Sequence, residues 1–265
     1  MSNDSIGKTL TVAVLLCLVC SVIVSTAAVV LKPLQDENKL LDKKQNILLA
    51  AGLMVEGESV ESLFKQVEAK IVNVETGKFA TEEELKLASI IDAETYDQRK
   101  ASKNPDLSKA LSSSDDISSI RRQSLYATVY IVRNDSGELD TIILPVHGYG
   151  LWSTLYGFLA LEEDANTVVG LGFYEHAETP GLGGEVDNPK WKAIWPGKKV
   201  YDGAGEVKLS LIKGAVDTNN PNSIHQIDGL SGASLTSRGV SNLVEFWMGE
   251  KGFGPFLAAI REEGV

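Results

Sequence analysis

Cysteine is scarce. The chain holds two, Cys17 and Cys20, and both lie in an apolar N-terminal run. Beyond that run there is nothing to form a disulfide framework or a thiolate metal site. Within it, the CxxC spacing reads as apolar filler. Histidine is nearly as rare, with three residues. His147, His176 and His225 are too far apart for metal-ligand spacing. They read as single hydrogen-bonded residues, and no metal site is expected. Basic residues are outnumbered 25 to 36, which leaves a net charge of −11. Asp4 and Lys8 cancel, so the chain after Leu31 carries all of that charge. An acidic chain argues against a nucleic-acid partner and against lying on anionic lipid. No glycine-rich stretch sits in a βαβ pattern, so a dinucleotide-binding fingerprint is missing. No catalytic residue is assigned.

Charge is absent from Thr9 to Leu31, a run rich in Leu, Val and Ala. It is long enough to cross ~30 Å of hydrocarbon as a helix. Ser25-Thr26-Ala27-Ala28 offers small residues suited to signal-peptide cleavage. The run exceeds the usual signal core, however, and reads as an uncleaved anchor. Lys8 precedes it and Lys32, Lys39, Lys43 and Lys44 follow it. Taken literally, that count places the large domain in the cytoplasm.

The expected organisation is a short tail at 1–8, a transmembrane helix at 9–31, a helical lead-in with a polar insertion at 32–124, and a ligand-binding domain at 125–265. Pro33 is expected to kink or restart the helix, with Leu34, Leu40, Leu41, Ile47 and Leu48 on one face. Val60, Leu63, Phe64, Val67 and Ile71 predict a second helix opened by Ser59. Residues 75–123 are polar and read as a surface insertion with a weak helix or two. Leu125–Val132 and Thr141–Val146 predict a hairpin around Asp135-Ser136-Gly137. Tyr156–Leu161 and Val168–Tyr174 predict another around Asp164-Ala165-Asn166. Asn188-Pro189 caps a short helix, Val207–Ile212 reads as a strand, and Gly254-Pro255 opens a last helix. The fold class is α+β, a twisted antiparallel sheet with helices packed on it.

The most specific stretch is Asp228-Gly229-Leu230-Ser231-Gly232-Ala233-Ser234-Leu235-Thr236-Ser237. Val240, Leu243, Val244 and Trp247 follow at i, i+3, i+4, i+7, so a helix begins here with Thr236 or Ser237 at its N-cap. Small residues and hydroxyls at a helix N-terminus suit a phosphate. They equally suit a well-capped turn, and Asp228 can cap it. A second loop, Glu178-Thr179-Pro180-Gly181-Leu182-Gly183-Gly184, can aim N–H groups at an anion. Leu182 is the apolar residue at its tip. Read alone, that loop is also consistent with an ordinary tight turn. His147-Gly148-Tyr149-Gly150-Leu151-Trp152-Ser153 ends a strand in a third glycine turn. Lys213 can neutralise phosphate or stand in solvent.

The Asp228–Ser237 stretch, the His176–Gly183 run and the N-terminal anchor together resemble the FMN-binding domain family. The likeness is to its branch in the C subunit of the Na+-translocating NADH:quinone oxidoreductase. The G subunit of the Rnf electron-transport complex is the sibling. The long helical lead-in from Asn38 to Asp97 and the run from Glu185 to Trp191 favour the sodium-pump branch. In the family, a Thr forms a phosphoester with FMN; here Ser234 stands at that position, and a primary hydroxyl can form the same ester. The resemblance implies that Ser234 is the covalent acceptor. It further implies that Ser231, Gly232, Ala233, Leu235, Thr236, Glu178, Thr179, Gly181, Leu182 and Gly183 surround the flavin. Asp228 is implied to be recognised by a flavin transferase. Tyr149 and Trp152 are candidates to stack on or edge the flavin, or else they are core and rim packing.

The implied function is electron relay within a membrane complex, with NADH oxidation and ubiquinone reduction on other subunits. The implied place is the bacterial inner membrane, single-pass, with the domain on the periplasmic side, opposite to the lysine count. An anchored FMN-binding sensor without turnover, or an inert scaffold, is the alternative from another class.

Overall fold

The structure, a computed structural model, describes residues 5–263; the first part of the tail expected at 1–8 lies outside the described residues. Helix α1, Ile6–Ala50, is continuous and contains Pro33. The expected restart at Pro33 does not occur. A proline removes one backbone donor, while the Leu, Lys, Asp and Glu residues after it sustain the helix. Residues 1–43 form one compact unit and 44–265 another. In the first unit Leu15, Leu18, Val22 and Ile23 are all exposed, and α1 is long and apolar enough to cross a membrane. Leu34 and Leu40 are exposed too, so only Ile47 and Leu48 of the predicted stripe reach a core.

In the second unit, Ser59 caps α2, Val60–Phe64, by accepting from the Ser62 N–H. The helix predicted to run on through Ile71 stops there. Val67–Asn73 is instead strand β1. Apolar spacing at i, i+3, i+4 also fits a strand buried on both faces, and the β-branched Val67, Ile71 and Val72 favour it.

Strand β2, Lys78–Phe79, and helix α3, Glu82–Leu87, follow. After them come α4, Gln98–Ala101, and the paired strands β3, Ser108–Ala110, and β4, Arg122–Ser124. The long strands are β5, Tyr126–Arg133, β6, Leu139–Tyr149, β7, Thr154–Glu162, and β8, Val168–Glu175. With β1 and β2 they make one antiparallel sheet in the order β2-β1-β5-β6-β7-β8. Both predicted hairpins are present.

Then come α5, Pro189–Lys192, capped by Asn188, and two short parallel strands, β9, Ser210–Leu211, and β10, Gln226–Ile227. The strand expected over Val207–Ile212 is reduced to β9. Its preceding backbone bonds elsewhere: the Lys208 and Leu209 N–H groups both go to the Val200 carbonyl. Helices α6, Ser234–Met248, and α7, Gly254–Glu263, complete the unit.

Both faces of the sheet are covered. Val129, Ile142, Leu144 and Leu159 share one core with Trp195, Val240, Leu243, Trp247 and Leu257. Tyr130, Ile143, Phe158 and Ala160 share the other with Ile47, Leu48 and Phe64. Burial of α6 along that first face fixes where its N-terminus emerges, and the site is built around that end.

Candidate functional site

Ser234 is the first residue of α6, and no side chain caps the helix at Ala233. The N-cap expected at Thr236 or Ser237 is therefore corrected, because the helix starts earlier and both residues lie in its first turn. Their hydroxyls are already committed. Thr236 Oγ1 donates to Glu178 Oε2 at 2.7 Å, and Ser237 Oγ accepts the Leu230 N–H at 3.0 Å. Both are buried, while Ser231, Gly232, Ser234 and Leu235 are exposed and Ala233 is buried. The result is a helix start with uncapped N–H groups, a positive dipole end and a hydroxyl facing outward.

Glu178 joins three segments. Its Oε1 accepts from the N–H groups of Leu151 and Trp152 at 3.0 Å each and of Ser153 at 3.3 Å. Its Oε2 takes the Thr236 hydroxyl. Only 5% of the residue is exposed. Burial works to raise its pKa, but the hydrogen bonds from Thr236, Trp152, Leu151 and Ser153 outweigh it and hold the carboxyl below its ordinary value. Glu178 and Thr236 thus spend their polar atoms on each other and on backbone. They position the site from beneath.

The loop is closed by two bonds to the Thr179 carbonyl, from the N–H groups of Leu182 and Gly184. Gly183 is buried under it. A Cβ there would come within 2.6 Å of both Glu178 Oε2 and Thr236 Oγ1. Gly232 has φ +73°, and a Cβ on it would lie 3.0 Å from Leu182 Cδ2, so the two loops meet at these residues. Thr179 and Gly181 are exposed on the outer side.

Large apolar side chains stand open on the three joined segments. Tyr149, Leu151, Trp152, Leu182 and Leu235 are all substantially exposed, Trp152 by 65%. Core packing of Trp152 and Tyr149 is set aside. Together these side chains make an apolar rim of the kind a flat ring system needs. Leu151 belongs to it although the sequence did not single it out.

Beside Ser234 runs a groove of about 800 Å³ lined by Lys213, Gly214, Asp228, Ser231, Gly232, Ser234, Ser237, Arg238 and Ser241. Asp228 Oδ1 accepts the Val216 N–H at 2.8 Å, and its carbonyl accepts Trp191 Nε1 at 2.9 Å. Asp228 therefore holds the turn. Lys213 and Arg238 bring positive charge to the groove. Arg238 and Ser241 were not singled out from the sequence; their signal was a position on the Ser234 face of α6, at i+4 and i+7.

Sequence reading also passed over Ser118, in the polar stretch. Its carbonyl accepts the Tyr149 N–H and its hydroxyl donates to the Asn242 carbonyl, tying the third turn to α6. The histidines lie apart, His176 on Asp187, His225 on the Lys199 carbonyl and His147 stacked on Tyr156. Among the described residues no group of three or more His, Cys, Asp or Glu side chains could hold a metal ion. The donor set at Ser234 fits a phosphate monoester: uncapped N–H groups, two cations, hydroxyls, and an apolar rim nearby for a ring.

The FMN-binding domain family matches residues 150–249, which take in the Glu178 loop and all of α6. The C subunit of the Na(+)-translocating NADH-quinone reductase of Pseudomonas aeruginosa is 53% identical, covering 98% of this chain and 98% of that protein. The corresponding Vibrio alginolyticus protein is 48% identical over 98% and 97%. The crystal structure of Shewanella oneidensis NqrC matches with a TM-score of 0.75 at 35% identity, covering 84% of this chain and 99% of that one. On these grounds the chain belongs to the family of Na(+)-translocating NADH-quinone reductase C subunits.

Proposed function

We propose that this chain is an anchored flavoprotein subunit of that oxidoreductase complex, carrying FMN as a phosphoester on Ser234 Oγ. The observation that carries this reading is the exposed Ser234 hydroxyl at the uncapped start of α6, between a cationic groove and an apolar rim. When bound, FMN supplies one- and two-electron transfer, with its potential tuned by the protein around it. The first-turn N–H groups, with Lys213, hold the phosphate. Leu182, Leu235, Tyr149 and Trp152 flank the ring, with Ser231, Gly232, Thr179 and Gly181 around it. Glu178, Thr236 and Gly183 keep these segments in register.

Ester formation is assigned to a flavin transferase that reads the Asp228–Ser237 turn and brings the FMN phosphate as an activated phosphoanhydride. Ser234 Oγ bonds the phosphorus and loses its proton, the anhydride P–O bond breaks, and the donor's other phosphate leaves. NADH oxidation and quinone reduction are assigned to other subunits, which this chain meets as an electron relay. The apolar helix fits a single-pass anchor in lipid, and we place the 44–265 unit on the periplasmic side of the inner membrane. Digestion of that unit by protease added to intact spheroplasts supports this side; full protection overturns it.

The deciding experiment is intact mass of the protein from its native membrane, then peptide mapping across 228–238. The expected result is one FMN less water on the peptide bearing Ser234, and no addition in Ser234→Ala. An unmodified Ser234 peptide, or full labelling of Ser234→Ala, overturns the attachment.

A further inference from the structure

Arg238 stands one helical turn after Ser234, at i+4 on the same face of α6, and both line the same groove. Four other arginines are held, while Arg121, outside the groove lining, is exposed like Arg238. Arg99 grips Glu175, Arg122 binds Ser108, Arg133 reaches the Gly137 carbonyl, and Arg261 reaches the Ala165 carbonyl. Arg238 is exposed and, among the described residues, its side chain has no ion pair or hydrogen bond. The one carboxylate lining the groove, Asp228, is partly engaged by the Val216 N–H. With Lys213 also present, the groove lining holds two cations against one carboxylate, in a chain of net charge −11. A locally positive groove on an acidic protein is built for an anion. An arginine near a helix N-terminus also gains nothing from the dipole, which favours negative charge there.

Resting on the reading of Ser234 as the FMN attachment point, we propose that Arg238 is a positioning residue for the flavin's phosphate. Its guanidinium offers parallel N–H donors to the phosphate oxygens. The phosphate is then held from the helix N–H groups on one side and from Arg238 on the other, with the Ser234 hydroxyl between. The same contact serves FMN bound reversibly by its phosphate and the diester on Ser234, which keeps one negative charge. Arg238 does not act on the ring.

The test compares FMN with riboflavin, which has the ring and lacks the phosphate. Full-length chain carrying Ser234→Ala, purified in detergent, is titrated with each ligand and flavin fluorescence is read. Adding Arg238→Gln is expected to weaken FMN about 10-fold, as loss of a charge-assisted hydrogen bond does, and to leave riboflavin unchanged. Arg238→Lys restores part of the FMN affinity, and the dependence of FMN binding on salt falls in Arg238→Gln. A structural role would move both ligands together. Equal responses of FMN and riboflavin, including no response in either, overturn the proposal. The Ser234 reading is judged separately, by the mass of the native protein with Arg238 in place. An unmodified native protein whose Ser234→Ala form still shows the FMN-specific loss removes the ester and leaves Arg238 as the phosphate contact of a reversibly bound flavin.

Discussion

Thr236 Oγ1 donates a 2.7 Å hydrogen bond to Glu178 Oε2, across 58 residues of sequence. This bond ties the first turn of α6 to the Glu178 loop, while Glu178 Oε1 ties both to the Leu151–Ser153 turn. A double-mutant cycle of Glu178→Gln and Thr236→Val is expected to show coupling of about 1–3 kcal/mol, as contacting residues in one buried network do. Unfolding of the detergent-solubilised chain measures it, and additive effects would count against the bond. Glu178→Gln also carries a pH signature. The wild-type carboxyl is held below its ordinary value, so its contribution is full above about pH 4.3 and is lost as pH falls through the lower folded value. The Gln variant is expected to have a flatter stability curve below that point.

Gly183→Ala is expected to lower stability by about 1–3 kcal/mol, the usual range for overpacking. The added methyl would press on both atoms of the Glu178–Thr236 bond, at 2.6 Å from each. It should therefore loosen the site as well as the fold, seen as faster proteolysis at the Thr179–Gly184 loop. An alanine variant with unchanged melting and unchanged proteolysis would mean the loop has room that its geometry does not show.

How far the sequence led is clearest from where it failed. Local chemistry was legible. Asn188 before Pro189 reads as a cap and start, and its side chain does accept the Lys190 N–H. The turns at Gly137 and Ala165 sit between the hairpin strands as expected. The run from Val60 to Ile71 reads as one helix and is a helix only to Phe64, because apolar spacing at three and four residues suits a helix and also a strand covered on both sides. Only the pairing of β1 with β5 decides it. At the site, composition marked the Asp228–Ser237 stretch and the Glu178 loop only as candidates, each equally readable as a turn, and the family resemblance chose between the readings. That Glu178 would face Thr236 could not be read, since neither neighbourhood names the other. The start of α6 was misplaced for the same reason. Hydroxyls at Thr236 and Ser237 look like caps until their partners across the fold are seen.

Burial, with the Arg99 guanidinium adding to it, pushes His147 down to about 4. Its ring stacks on Tyr156, and its carbonyl accepts Trp247 Nε1. The unfolded chain takes up the proton near ~6.5. Stability is thus full above that pH and falls as pH drops from there to about 4, by up to about 3 kcal/mol. His147→Gln is expected to remove this slope, leaving the separate Glu178 loss at lower pH. Denaturant melts between about pH 4 and 7 read the difference, and a slope unchanged in the variant assigns it to another group.

Trp152→Ala should change stability by less than about 0.5 kcal/mol, because the side chain is 65% exposed. The same change is expected to increase emission from the bound flavin, if the indole flanks the ring as proposed. A large drop in melting temperature would restore the packing role for Trp152.

Ser234→Thr is expected to keep the added flavin mass, while Ser234→Ala loses it. The ester needs a hydroxyl at the first residue of α6, and Thr supplies one with an extra methyl. Ser234 is exposed there, and its neighbours in the turn hold the backbone through Ser237 and Leu230 without help from it. The methyl therefore meets solvent, and stability should move by less than about 0.5 kcal/mol. Equal mass addition in both forms would show that attachment depends on where the hydroxyl stands. Labelling confined to Ser234 would show instead that the turn around this serine is too tight for a branched residue, and that its small side chain is part of the site.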